Sequence, residues 1–215
     1  MSDELFPLPA AEVAPGAVHL PGWLDAEAQR ELLAACREWA MPPAGLRTVR
    51  MPSGALMSVR QVSLGWHWYP YGYARTVTDG DGSPVKPFPG WLGEWARQAV
   101  RRAYGEEPHA VAYDIALINF YDDEARMGMH RDSDEHCAAP VVSFSLGDAC
   151  VFRFGNAESR GRPWADVRLR SGDAFVFGGP SRLAYHGVPR TEPGSGPPGL
   201  GLRGRVNVTV RALGE

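Results

Sequence analysis

The segment that most constrains the fold lies near the C-terminus, where residues 205–211 read Arg-Val-Asn-Val-Thr-Val-Arg. Side chains in an extended chain alternate between two faces, so the three valines share one face and the four polar residues share the other. The pattern predicts a β-strand with one apolar and one polar face. An edge strand whose polar face meets solvent would give the same alternation.

Short apolar runs separated by glycine, proline and aspartate occupy most of the chain from residue 111 onward. They predict strands at 111–121, 140–147, 149–155, 165–170, 173–178, 183–188 and 205–212. Two helices are predicted before them, one from the N-cap residue Asp25 to about Trp39 and one from Gly90 to Tyr104. Together these elements indicate a mainly β sandwich or barrel of the α+β class.

Two histidines and a carboxylate stand among the predicted strands. In an extended segment His130 and Asp132 point to the same side, whereas His186 must return from another strand. This ligand set can hold iron(II) on one face and leave the opposite positions open for oxygen and a co-substrate. Two arginines of the polar strand face, Arg205 and Arg211, can each present a planar fork to a carboxylate, so a short dicarboxylate could bind between them.

Six segments, in this order along the chain, resemble the AlkB family of iron(II)- and 2-oxoglutarate-dependent dioxygenases, which repair alkylated nucleobases. They are Leu117–Tyr121, His130–Glu135, Pro140–Gly147, Phe152–Gly155, Tyr185–Gly187 and Arg205–Arg211. The resemblance implies a double-stranded β-helix, or jelly roll, at 111–212, braced by the two helices. It also implies a nucleotide-recognition lid at about 45–80. We expect an N-terminal arm at 1–17, rich in proline and alanine, and a single dioxygenase domain at 18–215.

The resemblance assigns roles at the metal and co-substrate sites. It implies that Fe(II) binds to His130, Asp132 and His186, and that 2-oxoglutarate binds the iron through its 2-oxo acid end, leaving a position for O2. Five further residues are expected to bind 2-oxoglutarate, with Arg205 on the distal carboxylate and Arg211 on the metal-proximal one: Asn119, Tyr121, Arg205, Asn207 and Arg211.

Aromatic residues are concentrated at 64–73, which reads Leu-Gly-Trp-His-Trp-Tyr-Pro-Tyr-Gly-Tyr. Such side chains can stack on exposed bases or pack within a hairpin. The resemblance implies that Trp66 stacks on the target base, that Tyr73 contacts the nucleotide backbone and that Met57 borders the base pocket. The family also has an arginine near the substrate after Phe152–Gly155, and either Arg160 or Arg162 can correspond to it.

Asp134 is the second aspartate of a His-x-Asp-x-Asp motif. Taken alone it could be a solvated loop carboxylate. The resemblance implies that it favours alkylated bases such as 1-methyladenine and 3-methylcytosine, because these carry a positive charge that a carboxylate attracts.

The expected function is oxidative demethylation of such bases in single- or double-stranded DNA, with RNA as a further candidate substrate. 2-Oxoglutarate would be converted to succinate and CO2, and formaldehyde would be released. The target base must leave the stack to reach a buried iron. Two alternatives stay open: a hydroxylase of the same type acting on a protein side chain or small metabolite, and a non-catalytic nucleic-acid-binding module.

Charge, hydropathy and cysteine content limit the partners and the cellular location that the protein can have. The net charge of −3 argues against a wide basic groove that binds many phosphates. No apolar run approaches the roughly 20 residues of a membrane span, and the first residues lack the basic character of a secretory signal. Three cysteines without a Cys-x-x-Cys motif indicate free thiols. We therefore expect a cytoplasmic monomer that does not bind membranes.

Overall fold

The structure is a computed structural model that describes residues 8–105 and 111–214. The helices are α1 Ala26–Ala40 and α2 Gly90–Tyr104. The strands are β1 Ala11–Ala14, β2 Ala17–Leu20, β3 Arg47–Arg50, β4 Leu56–Leu64, β5 His67–Tyr69, β6 Gly72–Ala74, β7 Ile115–Tyr121, β8 Met127–His130, β9 Val141–Gly147, β10 Ala149–Phe154, β11 Ala165–Leu169, β12 Ala174–Phe177, β13 His186–Glu192 and β14 Arg205–Arg211.

Most strands belong to two antiparallel sheets. The larger has the order β1-β2-β12-β9-β14-β7-β4-β3, and the smaller has the order β11-β10-β13-β8. Strands β5 and β6 form a separate hairpin. The two sheets and the helices give the jelly-roll architecture of the α+β class that the sequence predicted.

Strand β14 is central in the large sheet, which answers the question of whether it is an edge strand. It pairs with β7 on one side and β9 on the other, with Asn207 opposite Asn119 and Ser145. All seven of its residues are buried. The polar face of β14 is therefore turned into the protein and not toward solvent.

The two faces of β14 have different surroundings. Val206, Val208 and Val210 pack in the same apolar core as residues of α1 and α2 such as Leu32 and Leu92. The polar face borders a cavity that residues of the small sheet also line. The alternation read from the sequence thus separates a packing face, covered by the helices, from a face available for chemistry.

Both helices agree with their sequence signals. Asp25 caps α1, since its side chain accepts hydrogen bonds from the backbone N–H groups of Glu27 and Ala28. Such a cap contributes about 1 kcal/mol. Helix α2 ends at Gly105, which has a left-handed conformation with φ of 80°. Among the described residues, neither helix is long and apolar enough to cross a bilayer.

The structure differs from the sequence reading in the N-terminal arm and at the start of two strands. The strand expected at 111–121 begins only at Ile115. Within the expected arm at 1–17, β1 and the start of β2 form a hairpin whose second strand pairs with β12; residues 1–7 lie outside the described part. The strand expected at 183–188 begins only at His186, because residues 181–184 form a turn in which Ala184 N–H donates to the Ser181 carbonyl.

The region expected to be a lid has two parts. Strands β3 and β4 extend the large sheet, with β4 paired to β7. The hairpin β5–β6 stands apart and carries the aromatic segment. The hairpin is therefore a part of 45–80 whose strands belong to neither of the two main sheets.

Candidate metal and co-substrate site

His130, Asp132 and His186 meet at one end of the small sheet. His130 ends β8 and His186 begins β13, and these two residues face each other in the pairing of the two strands. The Nε2 atom of His130 lies 3.7 Å from Asp132 Oδ1, and that of His186 lies 3.8 Å from Asp132 Oδ2. One potential ligand atom from each residue falls within 4.8 Å of the others. Sequence positions 54 residues apart thus form one donor set.

Hydrogen bonds orient both imidazole rings toward this set. His130 Nδ1 lies 2.9 Å from the Gly128 carbonyl, and His186 Nδ1 lies 3.0 Å from the Ala184 carbonyl. A carbonyl only accepts, so each Nδ1 carries the proton and each Nε2 keeps a free lone pair. This arrangement, with a fixed tautomer, is the one metal-binding histidines usually have.

Burial and charge keep His186 and Asp132 in their metal-binding protonation states. Burial, followed by the nearby His130, lowers the pKa of His186 to about 4. Burial opposes ionisation of Asp132, but the attraction of Arg211 and the two histidines outweighs it and lowers the pKa to about 2. Asp132 Oδ2 is buried without a hydrogen-bond partner in the described part of the chain. The donor set and this free oxygen fit a divalent iron.

A cavity next to these residues joins the metal site to the polar face of β14. Its lining includes all eight residues predicted for iron and 2-oxoglutarate, which come from four strands and a loop. The full set from the prediction that lines it is Asn119, Tyr121, His130, Asp132, His186, Arg205, Asn207 and Arg211. Residues that the sequence reading did not single out also line it: Met127, Ser143, Phe152, Phe177, Gly187, Val188 and Thr209.

Arg205 is a buried cation at the opposite end of the polar strand face from Arg211. Only 1% of the residue is exposed. Its Nη2 donates to Ser145 Oγ at 3.0 Å and its Nη1 reaches the Asp148 carbonyl at 3.5 Å, while Nε has no partner. In the described part of the chain no carboxylate forms an ion pair with it. A buried charge is costly unless it is paired, so the cavity is suited to an anionic ligand.

The centre of the polar face is held by a row of side-chain hydrogen bonds. Asn119 donates to Asn207 at 3.4 Å and accepts from Gln61 at 3.1 Å. Asn207 also accepts from Thr209 at 2.8 Å. Burial raises the pKa of Tyr121 well above its usual range, so its hydroxyl stays protonated and can donate. The row fixes polar groups between the two arginines.

Arg211 contacts the metal site directly. Its Nη2 lies 2.6 Å from Asp132 Oδ1 and its Nη1 lies 2.9 Å from Glu135 Oε1. Its Nε is buried without a partner. The sequence reading missed Glu135, whose side chain is fully buried. In the sequence Glu135 directly follows Asp134, and nothing there distinguishes it from a solvent-exposed acid.

The four residues predicted for substrate binding do not line this cavity. Trp66 donates from Nε1 to Asp114 at 3.2 Å, and the guanidinium of Arg75 covers its ring at 3.3 Å from the centroid. Asp134 accepts instead from Trp68 at 2.8 Å. Trp68, which belongs to the aromatic segment, is thus the indole that contacts the predicted selectivity acid.

Tyr73 and Met57 take different positions. The Tyr73 hydroxyl donates to Glu135 and lies 3.4 Å from Arg211 Nη1, so it reaches the co-substrate side. Met57 lines an open depression beside the cavity, and Met127 lines both. A ligand in the depression would therefore be separated from the metal site by Met127.

Of the two candidate substrate arginines, Arg160 lies near the residue that precedes His186. Its guanidinium carbon is 5.8 Å from the ring centre of Tyr185, which directly precedes His186, and Arg131 lies 5.1 Å from the same ring. Arg162 lies 4.8 Å from the ring centre of Trp164. Arginine and aromatic side chains thus meet at the rim of the site.

Comparisons with known proteins agree with this geometry. The sequence pattern described as the 2OG-Fe(II) oxygenase superfamily matches residues 16–211. The chain is 40% identical to the alpha-ketoglutarate-dependent dioxygenase AlkB homolog of Caulobacter vibrioides, over 93% of this chain and 88% of that protein.

A plant relative and a solved structure are also similar. The chain is 32% identical to the DNA N(6)-methyladenine demethylase ALKBH1D of Arabidopsis thaliana over 93% of its length, and spans 50% of that protein. The solved structure of OsALKBH1 superimposes with a TM-score of 0.86 at 31% identity, covering 95% of this chain and 100% of that one.

Proposed function

Because the chain belongs to the 2OG-Fe(II) oxygenase superfamily and, within it, to the AlkB family, we propose that it is an iron(II)- and 2-oxoglutarate-dependent dioxygenase that demethylates N-alkylated nucleobases in nucleic acid. In the overall reaction, 2-oxoglutarate and O2 are consumed, succinate and CO2 are formed, and the methyl group leaves as formaldehyde.

The observation that carries the proposal is Arg205. It is a buried guanidinium without an ion-pair partner among the described residues, and it lines the same cavity as the His-Asp-His set. A non-catalytic binding module would have no use for an uncompensated charge in this position. A dicarboxylate that reaches from the metal residues to Arg205 would neutralise it.

Three groups of cavity residues have distinct roles in the proposed reaction. His130, Asp132 and His186 hold the iron, which supplies oxygen activation when it is bound. Arg205 holds the distal carboxylate of 2-oxoglutarate, and Arg211 Nε is available for the proximal one. The apolar side chains on the small-sheet side, such as Phe152, limit access of water to the cavity.

The substrate proposal is supported by the surface around the cavity. Asp134 stands at 2.8 Å from Trp68 on the aromatic hairpin, which offers a carboxylate and an aromatic ring to a cationic base. Arg131 and Arg160, gathered around Tyr185, suit the phosphates of a single strand. The lid role of 45–80 belongs to this proposal.

A second substrate class is N6-methyladenine, which is the substrate named for the Arabidopsis relative. This base is neutral, so attraction by Asp134 would not select it over adenine. The two classes therefore differ in how much they need the carboxylate.

Turnover on defined oligonucleotides tests the proposal. The protein would be incubated in air with iron(II), ascorbate and 2-oxoglutarate and with DNA or RNA that carries one 1-methyladenine, 3-methylcytosine, 3-methylthymine or N6-methyladenine. Mass spectrometry would show loss of one methyl group with the wild type and none with Asp132→Ala. Consumption of 2-oxoglutarate without demethylation would favour a protein or metabolite hydroxylase, and oligonucleotide binding without consumption would favour a binding module.

We also propose a cytoplasmic location, because Cys36, Cys137 and Cys150 are all free, which suits a reducing compartment. The monomeric state stays a prediction.

A further inference from the structure

Glu135 is a buried acid whose purpose the proposed reaction leaves open. Its side chain is 0% exposed, although its backbone is partly exposed. Burying a carboxylate is costly unless charged partners compensate it. The contacts of Glu135 therefore indicate its role.

Arg182 fixes one oxygen of this carboxylate. Its Nη2 lies 3.1 Å from Glu135 Oε2. The same guanidinium donates from Nη1 to the Asp132 carbonyl at 2.6 Å and from Nε to the Ala139 carbonyl at 2.9 Å. Arg182 is thus anchored to the loop that carries the metal-site aspartate, and Glu135 is anchored through it.

The other oxygen faces the co-substrate side. Glu135 Oε1 accepts from Arg211 Nη1 at 2.9 Å and from the Tyr73 hydroxyl. Since Arg211 Nη2 is held by Asp132 at 2.6 Å, both terminal nitrogens of this arginine are bound to carboxylates. Two such contacts fix the plane of a guanidinium. Its Nε has no partner in the described part of the chain and can donate to a ligand in the cavity that Arg211 lines.

We propose that Glu135 is a positioning residue that orients Arg211 for 2-oxoglutarate binding. The inference rests on the proposed function, since it concerns the same co-substrate site. Glu135 acts through Arg211 and does not itself touch the co-substrate. Without the charge of Glu135, Arg211 would keep Asp132 as its one ion-pair partner in the described part of the chain and would turn more easily.

A double-mutant cycle on 2-oxoglutarate binding tests this assignment. Affinity would be measured by calorimetry on the Mn(II)-loaded protein, which binds without turnover, for wild type, Glu135→Gln, Arg211→Lys and the double variant. Residues that act through each other give non-additive effects. We expect Glu135→Gln to weaken 2-oxoglutarate binding about 10-fold in the native background and less than 3-fold in the Arg211→Lys background.

Two controls separate positioning from general structure. Mn(II) affinity should change by less than about 3-fold in Glu135→Gln, because Glu135 contacts none of the three predicted metal-donor atoms. Glu192→Gln makes the same chemical change in an ion-paired carboxylate at the far end of β13, 2.6 Å from Arg168, and should leave both affinities unchanged.

Several results would overturn the inference: unchanged 2-oxoglutarate affinity in Glu135→Gln, an equal loss in both Arg211 backgrounds, or an equal loss of Mn(II) affinity. If Glu135→Gln does not fold, Tyr73→Phe decides, since it removes only a hydroxyl from the same network. It should weaken 2-oxoglutarate binding about 3-fold with Arg211 present and not in the Arg211→Lys background, following the same non-additivity. Unchanged affinity in Tyr73→Phe would then overturn it. A wild-type protein that binds no 2-oxoglutarate would instead count against the proposed function.

Discussion

Arg211 Nη2 lies 2.6 Å from Asp132 Oδ1, so the central strand β14 holds one oxygen of the metal-site carboxylate. The other oxygen, Oδ2, is buried without a hydrogen-bond partner among the described residues. The contact joins the polar face of β14 to the His-Asp-His set. It leaves the free oxygen on the side of His186, whose Nε2 is 3.8 Å away.

Replacing Asp132 by alanine removes the only anionic donor of the set. We expect affinity for Mn(II) or iron(II) to fall by more than about 100-fold, because even loss of an outer-shell partner costs 10–100-fold. Calorimetric metal titration measures the loss, and circular dichroism checks that the strand core is retained. Metal affinity close to that of the wild type would show that the ion binds elsewhere.

Arg205→Lys keeps the charge in the cavity but loses the planar fork. The KM for 2-oxoglutarate should rise by about 10-fold or more, because lysine cannot pair with the carboxylate through two parallel hydrogen bonds and its side chain is shorter. Steady-state kinetics at saturating oligonucleotide would give the value. Arg203→Lys is a matched control, because that arginine is 91% exposed at the end of the same segment. A KM equal to that of the wild type would mean that Arg205 does not hold the co-substrate.

Trp66→Ala tests base stacking on the aromatic segment. Oligonucleotide binding should weaken by roughly 1–3 kcal/mol if this indole stacks on the target base. Anisotropy with labelled methylated DNA and Mn(II)-loaded protein measures it, and Trp91→Ala on α2 serves as control. Because Arg75 covers one face of Trp66, a parallel measurement on Trp68→Ala is informative. A loss confined to Trp68→Ala would move the stacking role to that residue.

Asp134→Asn is nearly isosteric and removes one negative charge. It should lower catalytic efficiency on 1-methyladenine and 3-methylcytosine more than on the neutral 3-methylthymine, because only the cationic bases gain from the carboxylate. The ratio of efficiencies on the two lesion classes cancels general damage to the enzyme. An equal decrease on both would make Asp134 structural, in keeping with its hydrogen bond to Trp68.

The sequence was sufficient for the parts of the site that depend on strand alternation. The polar face of β14 could be read directly from residues 205–211, and its two arginines do line the cavity with Asn207. The two helices followed from local signals such as the Asp25 cap. These features depend on near neighbours in the chain, which a sequence displays.

Contacts between distant segments were the part that could not be predicted. Glu135 meets Arg182 and Arg211 only through the packing of its loop against the turn at 181–184 and against β14. Trp66 and Trp68 are two residues apart, and only the position of the β5–β6 hairpin decides which of them reaches Asp134. The β1–β2 hairpin was missed because its pairing partner, β12, lies more than 150 residues away.

The most direct test of the account is the balance of products on one defined lesion. Wild-type protein would react with single-stranded DNA that carries 1-methyladenine, and succinate, formaldehyde and repaired base would be measured in the same sample. The account predicts equal amounts of all three, and none of them with Asp132→Ala. Succinate formed without formaldehyde and repaired base, or repair that does not require 2-oxoglutarate, would contradict it.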